Sequence, residues 1–176
     1  WFLSVGILCC VSAFGQKVVR TYHDNQKKHI QEDYTVSNSD NSLIIGKYKR
    51  FYESGGLMVE GNFDEGKKSG VFIEFHENGV PARKLTYING LRHGVVQVYD
   101  EQGKPVQKAY YQNDILTDSV KLFFDDGKLK RESNFVKGKP EGVVREYYPN
   151  GQLRKEIHVE NGKWHGITRT FYTDGK

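Results

Sequence analysis

The chain has 176 residues, of which 13 % are aromatic, and a formal net charge of +4 at neutral pH. This length allows one domain or one short repeat array, and the aromatic content excludes a largely disordered chain. The 26 basic and 22 acidic residues nearly balance, which favours solubility and does not indicate a nucleic-acid partner. Apolar residues amount to only 37 %, which suits a thin sheet with one face in water.

The first predicted element is a secretory signal peptide over residues 1–15. An uncharged apolar run, Trp1 to Val11, is followed by small residues that predict cleavage after Gly15 or after Ala13. The run is too short to span a bilayer as a helix. The alternative is that these residues form an apolar first strand.

Both cysteines, Cys9 and Cys10, lie in this segment. After cleavage the mature chain would contain no cysteine and therefore no disulfide. Neither cysteine has the preceding pattern of a lipid-modified residue. The sequence has no initiating methionine and stops half-way through a repeat, which predicts that the natural chain continues beyond both ends.

Residues 16–45 are the least regular part of the chain. Residues 29–36 (HIQEDYTV) read as one strand, and residues 37–42 (SNSDNS) as a polar loop. Because terminal repeats are commonly atypical, this segment is predicted to be a degenerate N-terminal cap.

Residues 46–176 repeat with a period of 24 residues, giving five full units from residues 46, 70, 94, 118 and 142 and the first half of a sixth from 166. A fixed period of this size is typical of a repeat architecture. The repeated positions are Gly46, Gly70, Gly94, Gly142 and Gly166 at the start of a unit; Gly55, Gly79, Gly103, Gly127, Gly151 and Gly175 nine residues later; Gly66, Gly90, Gly138 and Gly162 eleven residues after those; and the aromatic residues Phe51, Phe75, Tyr99, Phe123, Tyr147 and Phe171.

Pairs such as Asn78-Gly79 and Asn89-Gly90 predict two hairpin turns in each unit, because tight hairpin turns need left-handed backbone. The segments between glycines are too short for stable helices and rich in β-formers. The predicted fold is all-β, an elongated single-layer antiparallel meander of stacked β-hairpin repeats. A second recurrent position is predicted to stack like with like into an aromatic ladder; its members are Phe63, Tyr87, Tyr111, Phe135 and Val159.

The pattern breaks once, where Asp114 and Asp118 replace the expected glycines. Aspartate can adopt left-handed backbone, so a substituted turn is the favoured interpretation. The alternative is an altered loop that contacts a partner.

The repeat unit resembles the MORN repeat, in the variant class found in bacterial envelope proteins and proteins labelled antitoxins. The resemblance covers residues 46–176. The chain departs from the family pattern at the two aspartates, at Pro81 and Pro105 in place of leucine, and in having few tryptophans. It implies a β-hairpin array, no catalytic residues, and a role in protein interaction or membrane association. The matching residues are Gly142, Tyr147, Tyr148, Asn150, Gly151, Leu153, Asn161, Gly162, Lys163, His165 and Gly166, with Gly46, Phe51, Tyr52, Gly55, Leu57, Gly70, Phe75, Asn78, Gly79, Asn89 and Gly90 in earlier units.

The residues give no pattern for catalysis, metal or cofactor binding. No histidines or carboxylates have zinc spacing, the glycines are spaced for turns rather than for a phosphate loop, and no enzyme, metal or cofactor is predicted. The fourth position of the later units forms a basic stripe, which suggests binding to an anionic membrane; its members are Lys121, Arg145 and Arg169. Glu132, Glu146 and Glu156 are expected to cancel much of that attraction.

These observations predict an exported, non-catalytic scaffold that presents a protein-interaction surface in the periplasm, on the outer-membrane surface or outside a bacterial cell. The alternative is an antitoxin-like partner of a toxin. A third possibility is a module for membrane lipid or cell-wall glycan, although the predicted mature chain has only Trp164 to stack on sugars.

Overall fold

A computed structural model describes residues 16–173; the predicted signal peptide, both cysteines and Gly175 lie outside them. Within the described residues there are fifteen strands and no helix. They are β1 (Gln16–Tyr22), β2 (Ile30–Ser37), β3 (Ile44–Phe51), β4 (Leu57–Asp64), β5 (Lys67–Phe75), β6 (Pro81–Ile88), β7 (Leu91–Arg92), β8 (Gly94–Tyr99), β9 (Pro105–Gln112), β10 (Ile115–Phe123), β11 (Leu129–Val136), β12 (Lys139–Pro140), β13 (Gly142–Tyr147), β14 (Leu153–Glu160) and β15 (Lys163–Thr170).

The strands form one open antiparallel sheet in which each main strand pairs with its neighbours in sequence. The two-residue strands β7 and β12 pair only with β6 and β11 and lie off the main path. Residues 16–45 contribute β1 and β2, and β2 pairs with β3, so the sheet continues into the repeats. The prediction of an all-β meander of consecutive hairpins is confirmed.

The turn at the middle glycine of each unit has a single left-handed residue. Gly79 has φ +82° and donates its N–H to the His76 carbonyl at 2.9 Å, while His76 N–H donates to Val80 at 2.8 Å. Asn78 is not left-handed; its side-chain oxygen accepts the Val80 N–H at 3.0 Å. This is a type I turn closed by a glycine bulge, so the asparagine acts through its side chain rather than through its backbone.

The second turn of each unit is built differently. Asn89 and Gly90 both have left-handed backbone, at φ +52° and +84°, as a two-residue type I′ hairpin requires. Gly90 also donates its N–H to the Lys68 carbonyl of the preceding unit at 2.9 Å. The same backbone bond recurs from Gly66, Asp114, Gly138 and Gly162. The second turns are thereby linked to one another along one edge of the sheet.

The glycine that begins each unit lies at a bulge, not at a turn. Between β4 and β5 the pairing jumps from Glu60 opposite Ile73 to Asn62 opposite Ser69, and Gly70 lies inside that interruption with φ +74°. Strand β5 runs through it. The prediction of turns at two glycine positions therefore holds, and the third position bends a strand instead.

Replacing Gly151 with alanine isolates the cost of left-handed backbone. Its φ is +88° and nothing lies within 4 Å of an added Cβ, so the strain comes from the backbone alone. We expect a loss of about 1–2 kcal/mol in the free energy of unfolding. Urea denaturation measures it, with Gly151→Asn as the control that should cost less. Equal losses for both variants would contradict this explanation.

The core lies on one face of the single layer. Phe72 is opposite Leu85, Val96 opposite Ala109, and Val144 opposite Ile157. These side chains are all buried, because neighbours on the same face cover them. We call this side of the sheet the core face.

The prediction that equivalent aromatic residues of successive units contact one another is wrong. Rings on the core face pair across adjacent strands, as in Phe63 with Phe72 and Phe72 with Tyr87, whose centroids are 5.6 and 5.1 Å apart. The predicted like-with-like partners Phe63 and Tyr87 occupy alternate strands, roughly 9.6 Å apart, and the ring of Phe72 lies between them. Ring pairs also join Tyr34 to Tyr48 and Tyr48 to Phe63.

Candidate interaction surface

The face opposite the core carries a row of side chains that crosses the whole sheet, one from each main strand. We call it the cross-strand row. Directly opposed residues share a face and contact one another, so the register alone defines the row. Its members, in order from β1 to β15, are Arg20, Asp33, Lys49, Glu60, Ile73, Lys84, Gln97, Lys108, Lys121, Glu132, Arg145, Glu156 and Arg169.

Both ends of the row alternate in charge and form ion pairs. Arg145 Nε lies 3.0 Å from Glu156 Oε1, and Lys121 Nζ lies 3.1 Å from Glu132 Oε1. At the other end Arg20 Nε lies 3.0 Å from Asp33 Oδ2.

This arrangement tests the basic stripe expected from the sequence. Glu132 and Glu156 pair with its cations, as predicted. Glu146 does not, because it follows Arg145 in the strand and so lies on the core face, opposite Lys155. The stripe is neutralised by carboxylates of the adjacent strands.

The centre of the row is different. From Ile73 to Lys121 it contains no acid, and Lys108 is directly opposite Lys121. We call Lys84, Gln97, Lys108 and Lys121 the lysine window. The same-face residues beside its first three members are uncharged: Ala82, Thr86, Val95, Tyr99, Val106 and Tyr110.

A depression of ≈ 230 Å³ lies in this window. Lys108 and Lys121 line it together with Val95, Tyr110 and Asp118. Lys84 and Lys108 are exposed, and Val95 and Tyr110 are 37 % and 36 % exposed. The depression is therefore lined by two lysines, apolar residues and one aspartate.

Sequence reasoning missed the window because two of its lysines occupy another repeat position. It followed the fourth position of each unit, which contributes Gln97 and Lys121, whereas Lys84 and Lys108 are at the fifteenth. The fourth and fifteenth positions meet only across strands. Writing one unit as an antiparallel hairpin brings Gln97 opposite Lys108, but the pairing of Lys84 with Gln97 between units also depends on the bulge at Gly94.

The recurrent aromatic residues lie at the end of the first strand of each unit, or one residue beyond it at Phe171. Four of their carbonyls accept bonds from side chains that precede them by about one unit. Tyr52 donates its hydroxyl to the Phe75 carbonyl at 2.6 Å, and Tyr148 to the Phe171 carbonyl at 2.9 Å. The His76 Nε2 lies 3.0 Å from the Tyr99 carbonyl. These positions, including the histidine, hold successive units together. The Phe51 carbonyl accepts a bond from His23 Nε2 in the same way, at 3.0 Å. The side chains of Phe51, Phe123 and Tyr147 are half-buried.

The two aspartates that break the repeat keep its backbone conformation. Asp114 has φ +65° and Asp118 has φ +61°, so each occupies the left-handed position of the glycine it replaces. The Asp114 carboxylate also accepts bonds from the backbone N–H and the Nε of Arg92, at 3.0 and 2.7 Å. The guanidinium carbon Cζ of Arg92 lies 4.3 Å from the Tyr111 ring centroid. This geometry supports a substituted turn at Asp114, whereas Asp118 lies at the strand bulge of β10.

The Arg92 contact makes this turn sensitive to pH. The side-chain hydrogen bond from Arg92, followed by its backbone N–H, lowers the pKa of Asp114 below the ordinary carboxyl value. A carboxylate whose pKa is lowered by folding stabilises the protein above its unfolded pKa, and this is lost as the pH falls through the folded pKa. NMR titration of the Asp114 carboxyl should show the lowered pKa, and Arg92→Leu should bring it back towards the ordinary value. An unchanged titration in Arg92→Leu would contradict the assignment.

Within residues 16–173 no cluster of three or more histidine, cysteine, aspartate or glutamate side chains is placed to hold a metal ion. Asp126 lies in a hairpin turn, where the side chain and then the backbone N–H of Lys128 lower its pKa. The described part of the chain has no helix that could cross a membrane.

Comparison with known families finds a match to a repeat family. A family model described as "MORN repeat variant" matches residues 45–65, 68–89, 92–113, 119–137 and 140–161, together more than half of the chain. The matched segments run through the strands that carry the cross-strand row from β3 to β14. No curated protein matches the chain.

Proposed function

Since the chain belongs to the MORN repeat variant family, whose repeats are in general modules for protein or membrane interaction, we propose that it is an exported, non-catalytic scaffold that binds a partner protein in the bacterial cell envelope. The observation that carries the proposal is the single open sheet. Its thirteen main strands extend over roughly 58 Å at about 4.8 Å a strand, and such arrays offer long surfaces at little ordering cost.

The charge pattern supports a protein partner over a lipid surface. A membrane-binding face needs cations that are free to meet anionic headgroups. In the cross-strand row Lys121, Arg145 and Arg169 are instead within 4 Å of glutamates of the neighbouring strand. Among the described residues Lys84 and Lys108 have no such partner, but they cover only about 10 Å of the row, which is narrow for a membrane-binding face. Glycan binding is weakly supported, because Trp164, although 76 % exposed, is the only tryptophan outside the predicted signal peptide.

The export proposal rests on the apolar sequence of residues 1–15. Cell fractionation of the natural host, followed by mass spectrometry of the N-terminus, tests it. The expected result is a chain in the envelope or medium that begins after Gly15 or Ala13. An intact chain in the cytoplasm would contradict export and would favour the antitoxin-like alternative, since an exported chain cannot neutralise a cytoplasmic toxin.

The binding proposal is tested by cross-linking in the envelope fraction. The expected result is one predominant partner, cross-linked through exposed residues of the sheet faces and recovered with the purified chain. Cross-links only to abundant lipid-anchored proteins, with yields proportional to the abundance of each protein, would indicate non-specific capture and would contradict the binding proposal. A scrambled-order variant of the repeat units serves as the control for non-specific capture.

A further inference from the structure

We propose that the lysine window binds an acidic segment of a partner protein, so that partner carboxylates complete the charge alternation that the sheet itself leaves out. The inference rests on the proposed function, because it names the kind of partner for that surface. It places Lys84 and Lys108 as the main contacts and Lys121 at the border of the site.

The centre of the cross-strand row lacks the opposite charges that its ends have. Arg20 faces Asp33 at one end of the cross-strand row, and Arg145 faces Glu156 at the other. In the centre Lys108 faces Lys121, and like charges directly opposite one another destabilise a sheet. Within the described residues neither Lys84 nor Lys108 forms an ion pair. A bound carboxylate would relieve this repulsion.

The basic region of the row is limited in width. Glu60 lies one strand before Ile73, and Glu132 lies one strand after Lys121, so the stretch free of acids spans roughly 19 Å. A flat anionic membrane or a long nucleic acid would bring its negative charges against both glutamates. A short acidic segment fits between them.

The lysines of the window have apolar and amide groups beside them. Tyr110 and Val95 are opposed to each other beside Lys108 and Gln97 and leave apolar surface in contact with water. The Tyr99 hydroxyl donates to Gln97 Oε1 at 3.0 Å, which orients the amide between the two lysines. Lys84 and Lys108 are two strand spacings apart, about 10 Å. The site therefore suits a segment with two carboxylates at that separation and an apolar residue beside them.

The depression contains one group that opposes this assignment of charge. Asp118 lines it together with Lys108 and Lys121. Because Asp118 occupies a position that is glycine in the other units, Asp118→Gly removes the carboxylate without changing the required backbone. This variant should bind an acidic peptide more tightly than the unmodified chain.

The test measures binding of a fluorescein-labelled octaglutamate peptide by fluorescence anisotropy. Lys84→Glu with Lys108→Glu should weaken binding about tenfold, because two exposed attractions become repulsions. The matched control is Lys17→Glu with Lys139→Glu, both exposed and both opposite valines, Val36 and Val136. Both double variants change the formal net charge from +4 to 0, so only the position differs. The control should stay within about twofold, and binding should weaken from about 50 to about 500 mM salt.

Four outcomes would overturn the inference. Equal weakening in both double variants would show that only net charge matters, and no weakening in either would show that the window is not used. Tighter, window-dependent binding to phosphatidylserine vesicles or duplex DNA than to octaglutamate would assign the site to another class of ligand. If the Lys84/Lys108 variant still recovers the envelope partner, the acidic-segment inference fails and the proposed scaffold function remains.

Discussion

Replacing Phe72 with alanine is expected to lower the free energy of unfolding by about 3–5 kcal/mol. Phe72 is 1 % exposed, and its ring lies between those of Phe63 and Tyr87. Lys68 Nζ is 5.0 Å from its ring centroid. The substitution removes apolar contacts and opens a cavity, and a single layer has no second sheet that could move in to fill it.

Val71→Ala is the matched control for this prediction. Val71 is the preceding residue of β5, lies on the opposite face and is 43 % exposed, so its truncation should change stability by no more than about 0.5 kcal/mol. Urea unfolding measures the two losses, and hydrogen exchange locates the Phe72→Ala loss in β4 to β6. Similar losses in both variants would show that the core face is not the stabilising face.

Replacing Gly61 with alanine is expected to cost about 1–3 kcal/mol by overpacking. An added Cβ would lie 2.5 Å from Cδ1 of Phe72 and 2.6 Å from its Cγ and Cε1. The φ of Gly61 is not left-handed, so alanine fits the backbone and only the ring obstructs it. The rings of Phe63 and Tyr87 flank that of Phe72 and limit its movement away from the added methyl group.

Two further variants separate this effect from a general intolerance of alanine. Gly56→Ala meets nothing closer than 3.7 Å and has no left-handed φ, so it should be neutral or slightly stabilising. Phe72→Leu combined with Gly61→Ala should cost less than the sum of the single changes, because the smaller side chain leaves room for the methyl group. Strict additivity would rule out the contact between residues 61 and 72.

The period and type of the strands could be predicted because they depend on local chemistry. Gly79 and Gly90 have to adopt left-handed backbone whatever surrounds them, so the sequence alone reveals both turns. The sequence does not reveal the difference between the two turns, because both have asparagine before the glycine. Asn78 acts through its side chain, and Asn89 through its left-handed backbone.

The lysine window and the ring partners of Phe72 could not be predicted in the same way. Both depend on which residues lie opposite one another in adjacent strands, and the bulges at Gly70 and Gly94 shift that register. Comparing equivalent positions of successive units pairs residues that are two strands apart. The glycine at residue 61 is similarly uninformative until the Phe72 ring is known to occupy the space above it.

Pairing only between sequence neighbours also means that whole units are interchangeable segments of the gene. Excision of residues 94–117 would remove two main strands and leave every remaining strand with a partner of the correct direction. Lys84 would then face Lys121 directly, and Gln97 and Lys108 would be gone. Gain or loss of one 72-nucleotide segment would thus lengthen or shorten the sheet and, in the same event, change the order of charges along the cross-strand row.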